Sequence, residues 1–183
     1  MKRDTALALV QKHVKNRNLI KHMLAVEVIM EALAKHLGED PEKWGLAGLL
    51  HDIDYDKTAD SPEQHSMIGA DMLAELGVAP DIVYAVRVHN EVHGLPRNTL
   101  LDKALYAADP LSGLIVAAAL IHPERKLAAI DVPFLINRFH EKSFARGASR
   151  EQIETCTELG LSLEEFMGLA LRAMQAISTE LGL

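Results

Sequence analysis

The stretch Leu49-Leu50-His51-Asp52-Ile53-Asp54-Tyr55-Asp56 joins an apolar run to an acidic one. Trp44 to Leu50 has the character of a helix end, and Asp52 to Asp60 breaks its periodicity, so a loop is predicted over 52–60. At the junction an imidazole and a carboxylate are neighbours. Neutral imidazole supplies a nitrogen lone pair, and carboxylate supplies oxygen and cancels charge, a pairing that suits a divalent cation. Asp52 has two oxygens and could serve two cations at once. Two adjacent residues do not build a site alone, so the rest of the chain must bring other donors.

Outward from this stretch almost every segment reads as helix. Asp4 to Val14 is a short amphipathic candidate, and Asn18 to Leu37 is a longer one. The longer segment places Leu19, Met23, Val26, Met30 and Leu33 at helical spacing and stops at Gly38. Asp40-Pro41 supplies a cap and a first-turn proline for a helix reaching about His51. Ser61-Pro62-Glu63-Gln64 carries cap, first-turn proline and capping-box glutamine, and its helix is expected to end at Gly77. Pro80 opens the next, expected from Asp81 to about Val92 and closed by His93-Gly94-Leu95-Pro96. A helix beginning near Asn98-Thr99 meets Pro110 midway, where a missing donor and a crowded turn predict a kink or a break. Asp131 to Phe144 reads as helix, and Ser149 with Gln152 and Ser162 with Glu165 cap the last two, separated by Gly160. With no strand signal, repeat or linker, the expected fold class is all-α, in one domain over 1–183.

Composition bounds the partners. The 183 residues are 49% hydrophobic and 25% charged, but only 4% aromatic, so the core must rest on Leu, Ala, Val, Ile and Met. The net charge of −7 weighs against a nucleic acid polymer as the main partner, because duplex binding draws on a basic excess. A small anionic substrate stays open if cations offset the field locally. Cys156 is the only cysteine, so no internal disulfide can form, which fits a reducing cytoplasm. The first apolar run ends at Gln11-Lys12-His13, too short for a signal-peptide core. The longest apolar run, around Leu114 to Ile121, falls short of a membrane span. A cytoplasmic protein without a membrane partner is expected.

Nine histidines are present. If consecutive helices pack antiparallel, His22, His51, His65 and His89 fall at ends that converge on one side. Asp109 lies about ten residues into its helix, roughly 15 Å along it, and adjoining Pro110 is a reason for distortion there. Flanked by Ala107, Ala108 and Pro110, its charge would be costly to bury without a partner. The set His22, His51, Asp52, His65, His89 and Asp109 exceeds what one cation needs and fits two, with Asp52 between them. Two such cations can activate water and stabilise charge on a phosphoryl oxygen without a Ser or Cys nucleophile. His13, His36, His122 and His140 lack convergent partners, and His93, an alternative to His89, is expected to be exposed.

The order His22, His51-Asp52, Asp109 on an all-helical chain resembles the HD-domain metal-dependent phosphohydrolase superfamily. His65 in Gln64-His65-Ser66-Met67-Ile68-Gly69 and His89 in Val88-His89-Asn90 resemble the branch holding two metals, and the acidic loop is similar to that of small bacterial stand-alone HD proteins. The resemblance implies a helical bundle with its core at about 18–121 and additional C-terminal helices over about 122–183. It implies one metal on His22, His51, Asp52 and Asp109, and a second on Asp52, His65 and His89. Nitrogen and oxygen ligands admit iron, manganese, zinc, cobalt or nickel. Two departures stand out. Tyr55 occupies a position where many relatives carry Lys or Glu, and His89-Asn90 replaces the consecutive histidines of the cyclic-dinucleotide esterases, which weighs against such a substrate.

The expected activity is hydrolysis of a phosphomonoester or phosphodiester in a nucleotide-like small molecule, through metal-activated water. Asp52, Asp56 and Lys57 are the catalytic candidates. Asp54 and Asp56 are placed either to orient ligands or water or to be plain loop carboxylates. Lys57 and Arg87 are candidates for a substrate phosphate. Arg125, Lys126, Arg138, Lys142, Arg146 and Arg150 make a mildly basic late segment, an anion rim or a solvated face. The Met-rich last helix, with Phe166, Met167, Leu171 and Met174, suits core or a homodimer contact. Two other functions fit the same residues: a di-iron oxygenase, and a non-catalytic nucleotide-binding regulatory module.

Overall fold

Asn16 starts the helix that carries the first candidate ligand. In the computed structural model, which describes residues 1–183, its side chain accepts the amides of Asn18 and Leu19 and opens α2, Arg17–Leu37. A preceding helix, α1, spans Arg3–His13. Gly38, at φ 75°, closes α2 in the left-handed region that a β-carbon disfavours. The apolar face of α2 is fully packed: Met23, Ile29, Met30 and Leu33 are all completely buried. Each such side chain contributes roughly 1.5–3 kcal/mol of burial.

Asp40 caps α3, Pro41–Leu50, by accepting the amides of Glu42 and Lys43. Every residue from Trp44 to Leu50 is buried. Gly48 permits this. A β-carbon at Gly48 would lie 2.8 Å from the Val26 carbonyl oxygen and 2.9 Å from the Glu27 backbone. The bare backbone therefore lets α3 lie directly on α2, which brings the His51 end of one beside His22 of the other.

The segment 52–60 is more ordered than expected. A turn at 51–54 leads into a short helix, α4, Tyr55–Thr58. The helix expected from Ser61 starts later, as α5, Met67–Glu75, with turns over 62–66 before it. Ser66, at φ 70°, does not cap α5 with its side chain; its hydroxyl donates to the Arg87 carbonyl. His65 is thereby left outside the helix. Next, α6 covers Pro80–Val88 and stops before Val92, followed by a single 3₁₀ turn over Glu91–His93.

Thr99 and Asp102 form a complete capping box for α7, Leu100–Ile121. Pro110 does not break α7, which stays one 22-residue helix. Completely buried Leu105, Ala107, Ala108, Leu111, Leu114 and Ile115 pack on both sides of the proline, so the lost hydrogen bond is outweighed. Read whole, α7 is long and apolar enough to cross a membrane by length and composition, which the run from Leu114 alone did not suggest; 61% of its most apolar window is buried inside the protein.

Beyond it, α8 covers Val132–His140, shorter than the expected 131–144. The remaining helices are α9, Arg150–Glu154, α10, Leu163–Ala176, and α11, Ser178–Leu181. Ser162 and Glu165 cap α10 reciprocally. Phe166, Met167 and Met174 of α10 are completely buried and belong to one apolar cluster of 49 residues running from Ala6 to Leu181. No residue is in a strand, and the architecture is the all-α bundle with additional C-terminal helices.

Candidate metal centre

Four imidazoles meet around one carboxylate, and each ring is anchored at the nitrogen facing away. His51 directly follows α3, and its Nδ1–H donates to the Gly48 carbonyl at 2.8 Å. His89 repeats the device after α6, donating to the Val86 carbonyl at 2.6 Å. His22, in the second turn of α2, places Nδ1 2.8 Å from the Ser112 hydroxyl, which donates to the Asp109 carbonyl at 2.9 Å. The Ser112 oxygen therefore has only acceptor capacity left for His22. His65 places Nδ1 3.0 Å from Asp54 Oδ1, and Asp54 Oδ2 accepts the Gly69 amide at 2.8 Å. With the proton assigned to each Nδ1 by these acceptors, each neutral ring keeps its Nε2 lone pair for the centre.

Asp52 stands between two histidine pairs. Its Oδ2 lies 3.5 Å from His22 Nε2 and 3.4 Å from His51 Nε2. Its Oδ1 lies 3.4 Å from His65 Nε2 and 3.5 Å from His89 Nε2. Asp109 Oδ1 closes the first side at 3.1 Å from His22 Nε2 and 3.7 Å from His51 Nε2. Two donor sets follow, each with ligand atoms within 4.8 Å of one another: His22, His51 and Asp109, and His51, Asp52 and His89.

This arrangement fits divalent cations on its own evidence. The Nε2 atoms of His22 and His51 are 3.1 Å apart. Both nitrogens face one point, so what they share there is a positive charge, a proton or a metal cation. His89 Nε2 is buried with no hydrogen-bond partner, an orphan that a cation satisfies. Burial works against charge on His22, but Asp109 and Asp52 outweigh it and raise its pKa to about 9. His51 is raised well above the ordinary imidazole value, against burial, by Asp52 and Asp109. Burial would raise Asp52 and Asp109, yet the histidines hold both far below the usual carboxylate range.

Other sequence candidates lie elsewhere. Asp56 is exposed, and its carboxylate accepts the backbone amides of Lys15 and Asn16, so it splices α4 to the α1–α2 connection instead of serving the centre. Lys57 is exposed and has no hydrogen bond or ion pair to the centre. Arg87 pairs with Asp71. His93 is half-buried, not exposed, and its Nε2 lies 2.8 Å from the His65 carbonyl, where it steadies that turn. Arg150 donates to backbone carbonyls and makes no anion rim. Ser112 escaped the sequence reading, although its place one turn after Asp109 on the same helix was the available signal.

The centre opens on one side. His51 and His89 side chains are 0% and 2% exposed, whereas His22 and Asp109 are 23% and 28% exposed. A cleft of about 350 Å³ borders His22 and Asp109, faced by Ala145, Gly147 and Ala148 of the α8–α9 connection.

The sequence model of the HD domain family matches residues 19–119. Among curated proteins, Ribonuclease Y of Nitratidesulfovibrio vulgaris (strain DP4) is 36% identical over 98 residues, 54% of this chain and 18% of that protein. Ribonuclease Y of Desulfotalea psychrophila (strain LSv54 / DSM 12343) is 31% identical over 138 residues, 74% of this chain and 26% of that protein. Ribonuclease Y of Geobacter metallireducens (strain ATCC 53774 / DSM 7210 / GS-15) is 34% identical over 98 residues, again 54% of this chain and 18% of that protein. The chain thus spans about a quarter or less of the relatives it matches.

Proposed function

Because the chain belongs to the HD domain family, part of a superfamily of metal-dependent phosphohydrolases, we propose that it hydrolyses a phosphomonoester or phosphodiester in a nucleotide-like small molecule. The observation that carries this is Asp52, whose two oxygens face separate histidine pairs. His22, His51, Asp52 and Asp109 would hold one divalent cation, and Asp52, His65 and His89 a second. Iron, manganese, zinc, cobalt and nickel all suit these donors. Such cations supply an acidified water and neutralise charge gathering on phosphoryl oxygens.

The chain's own residues do the rest. The Nδ1 contacts to Gly48, Val86, Ser112 and Asp54 keep the four rings from turning. The more exposed edge at His22 and Asp109 is where an ester would approach. Asp52 keeps the catalytic role; Asp56 does not, because its carboxylate takes the amides of Lys15 and Asn16, and Lys57 stays a candidate for the substrate phosphate. No protein nucleophile is called for. Cys156 is buried, and burial pushes its thiol up to about 11, leaving it unreactive.

A phosphodiester is supported by the relatives named Ribonuclease Y. The net charge of −7 favours a small ester over a long polyanion. The test is an assay of the metal-loaded protein on nucleoside monophosphates, linear and cyclic dinucleotides and short RNA, with each of the five metals. Turnover by the wild type, lost in His51→Ala and Asp52→Ala, is expected. Equal rates in all three proteins would overturn the proposal, and RNA as the sole substrate would replace the small ester.

A further inference from the structure

On the other flank of His22 lies a second cleft, of about 370 Å³, between the start of α2, the later turns of α7 and residues 181–183. Its volume lies in the range of small-molecule sites. The two clefts share His22 and Gly113, so a molecule held here reaches the edge of the metal centre. The lining is divided. Asn18 and Lys21 supply polar groups, while Val116, Leu120 and Leu181 are apolar.

Lys21 is the informative member. Its ammonium has no carboxylate within ion-pair distance, in a protein with seven excess negative charges. It lies against Gly182, where any β-carbon would stand 2.9 Å from Nζ. Gly182 adopts φ 73°, a left-handed conformation that favours a residue without a β-carbon. Leu120 is 48% exposed, so its side chain forms an accessible apolar wall of the cleft.

We propose that this cleft is the subsite for the alcohol portion of the phosphoric ester, a ring system of nucleoside size. The apolar wall covers the ring face, and Lys21 and Asn18 hold its polar substituents or a second phosphate. The phosphoryl group to be cleaved then lies at His22 and Asp109. This assignment rests on the hydrolase reading above and names the class of substrate that fits it.

The experiment uses the full chain loaded with manganese and the four common ribonucleoside 5′-monophosphates as probes. Calorimetric Kd and steady-state KM and kcat are measured for the wild type, Leu120→Trp and Lys21→Met. Metal content and melting temperature verify that each variant is folded and loaded. Leu120→Trp fills the cleft from a half-exposed position, and Lys21→Met keeps the stem while removing the charge. We expect Kd and KM for the bound nucleotide to rise about tenfold or more in both variants, with kcat within about threefold and inhibition by inorganic phosphate unchanged in Leu120→Trp. Unchanged Kd in both variants overturns the subsite, as does failure of every nucleotide to bind the wild type. Binding that weakens as expected without turnover of any ester upholds the subsite and sinks the hydrolase reading instead.

Discussion

Asp54 holds His65 Nδ1 at 3.0 Å with one oxygen and the Gly69 amide at 2.8 Å with the other. The side chain is essentially sealed from solvent, and a β-carbon on Gly69 would press on it at 3.1 Å. His65 sits in a turn, outside any helix, so this carboxylate is what aims its ring at Asp52.

Asp54→Asn should therefore leave the fold intact and weaken the second of the two proposed metal positions. Losing the carboxylate acceptor loosens the orientation of the His65 ring, costing about 10–100-fold in metal affinity. Elemental analysis after dialysis against a buffered metal should fall towards one equivalent while the wild type keeps two. Equal stoichiometry and affinity in both proteins would refute the role.

The metal-free protein should lose stability as pH rises from the ordinary histidine range to about 9. His22 has a folded pKa of about 9, above its unfolded value, so the folded state binds the extra proton in that window. Its stabilising contribution is complete below the unfolded value and vanishes as pH climbs through the folded one. His51 is shifted the same way. Metal loading must expel these protons, so apparent metal affinity should increase with pH over the same interval. Melting temperature with chelator and with metal, measured from pH 6 to about pH 9, checks both slopes; a flat chelated profile would contradict the account.

Gly48→Ala should damage fold and centre together. The added methyl would meet the Val26 carbonyl at 2.8 Å, against backbone that has no free end to swing aside. Forcing α2 and α3 apart should cost about 1–3 kcal/mol or more, seen as a lowered denaturation midpoint. The same residue's carbonyl anchors His51 Nδ1, so metal binding should weaken in parallel.

Arg150→Lys should loosen the wall opposite Asp109. The guanidinium donates to the carbonyls of Ala145 at 2.9 Å, Ala148 at 2.7 Å and Phe144 at 2.6 Å, with Nε reaching the Phe139 carbonyl at 3.0 Å. Ala145, at φ 43°, is held in a conformation its β-carbon resists. An ammonium has three donors and cannot span these acceptors. Amide exchange across 141–148 should accelerate about tenfold or more, the equivalent of one lost charged hydrogen bond, with little change at α2 and α3. Uniform protection in both proteins would exclude the clamp.

Much of the candidate centre was legible in the chain because helical punctuation is local. Gly38 and Asp40-Pro41 set where α2 ends and α3 begins, and a short connection obliges the two helices to run antiparallel. His22 and His51 then fall on one side without further instruction. The start of α5 misled for the same local reason. Ser61-Pro62-Glu63-Gln64 has the form of a helix start, but the turn before Met67 is held by contacts from afar, with the Ser66 hydroxyl on the Arg87 carbonyl and the Asn90 amide on the carbonyls of Pro62 and His65.

Periodicity and composition alone determined the helical class, the apolar palette of the core and the doublet His51-Asp52, since these depend on neighbours along the chain. Only the tertiary structure decided which acids face the centre. Asp54 and Asp56 are two residues apart and chemically alike, yet one grips His65 and the other takes the amides of Lys15 and Asn16. Residues so spaced at the opening of a helix point to nearly opposite sides, and what waits on each side is set by segments about 10 and 40 positions away. Helical spacing along the chain carries no record of that packing. It emerges only when α2, α3 and α7 close around the carboxylate of Asp52.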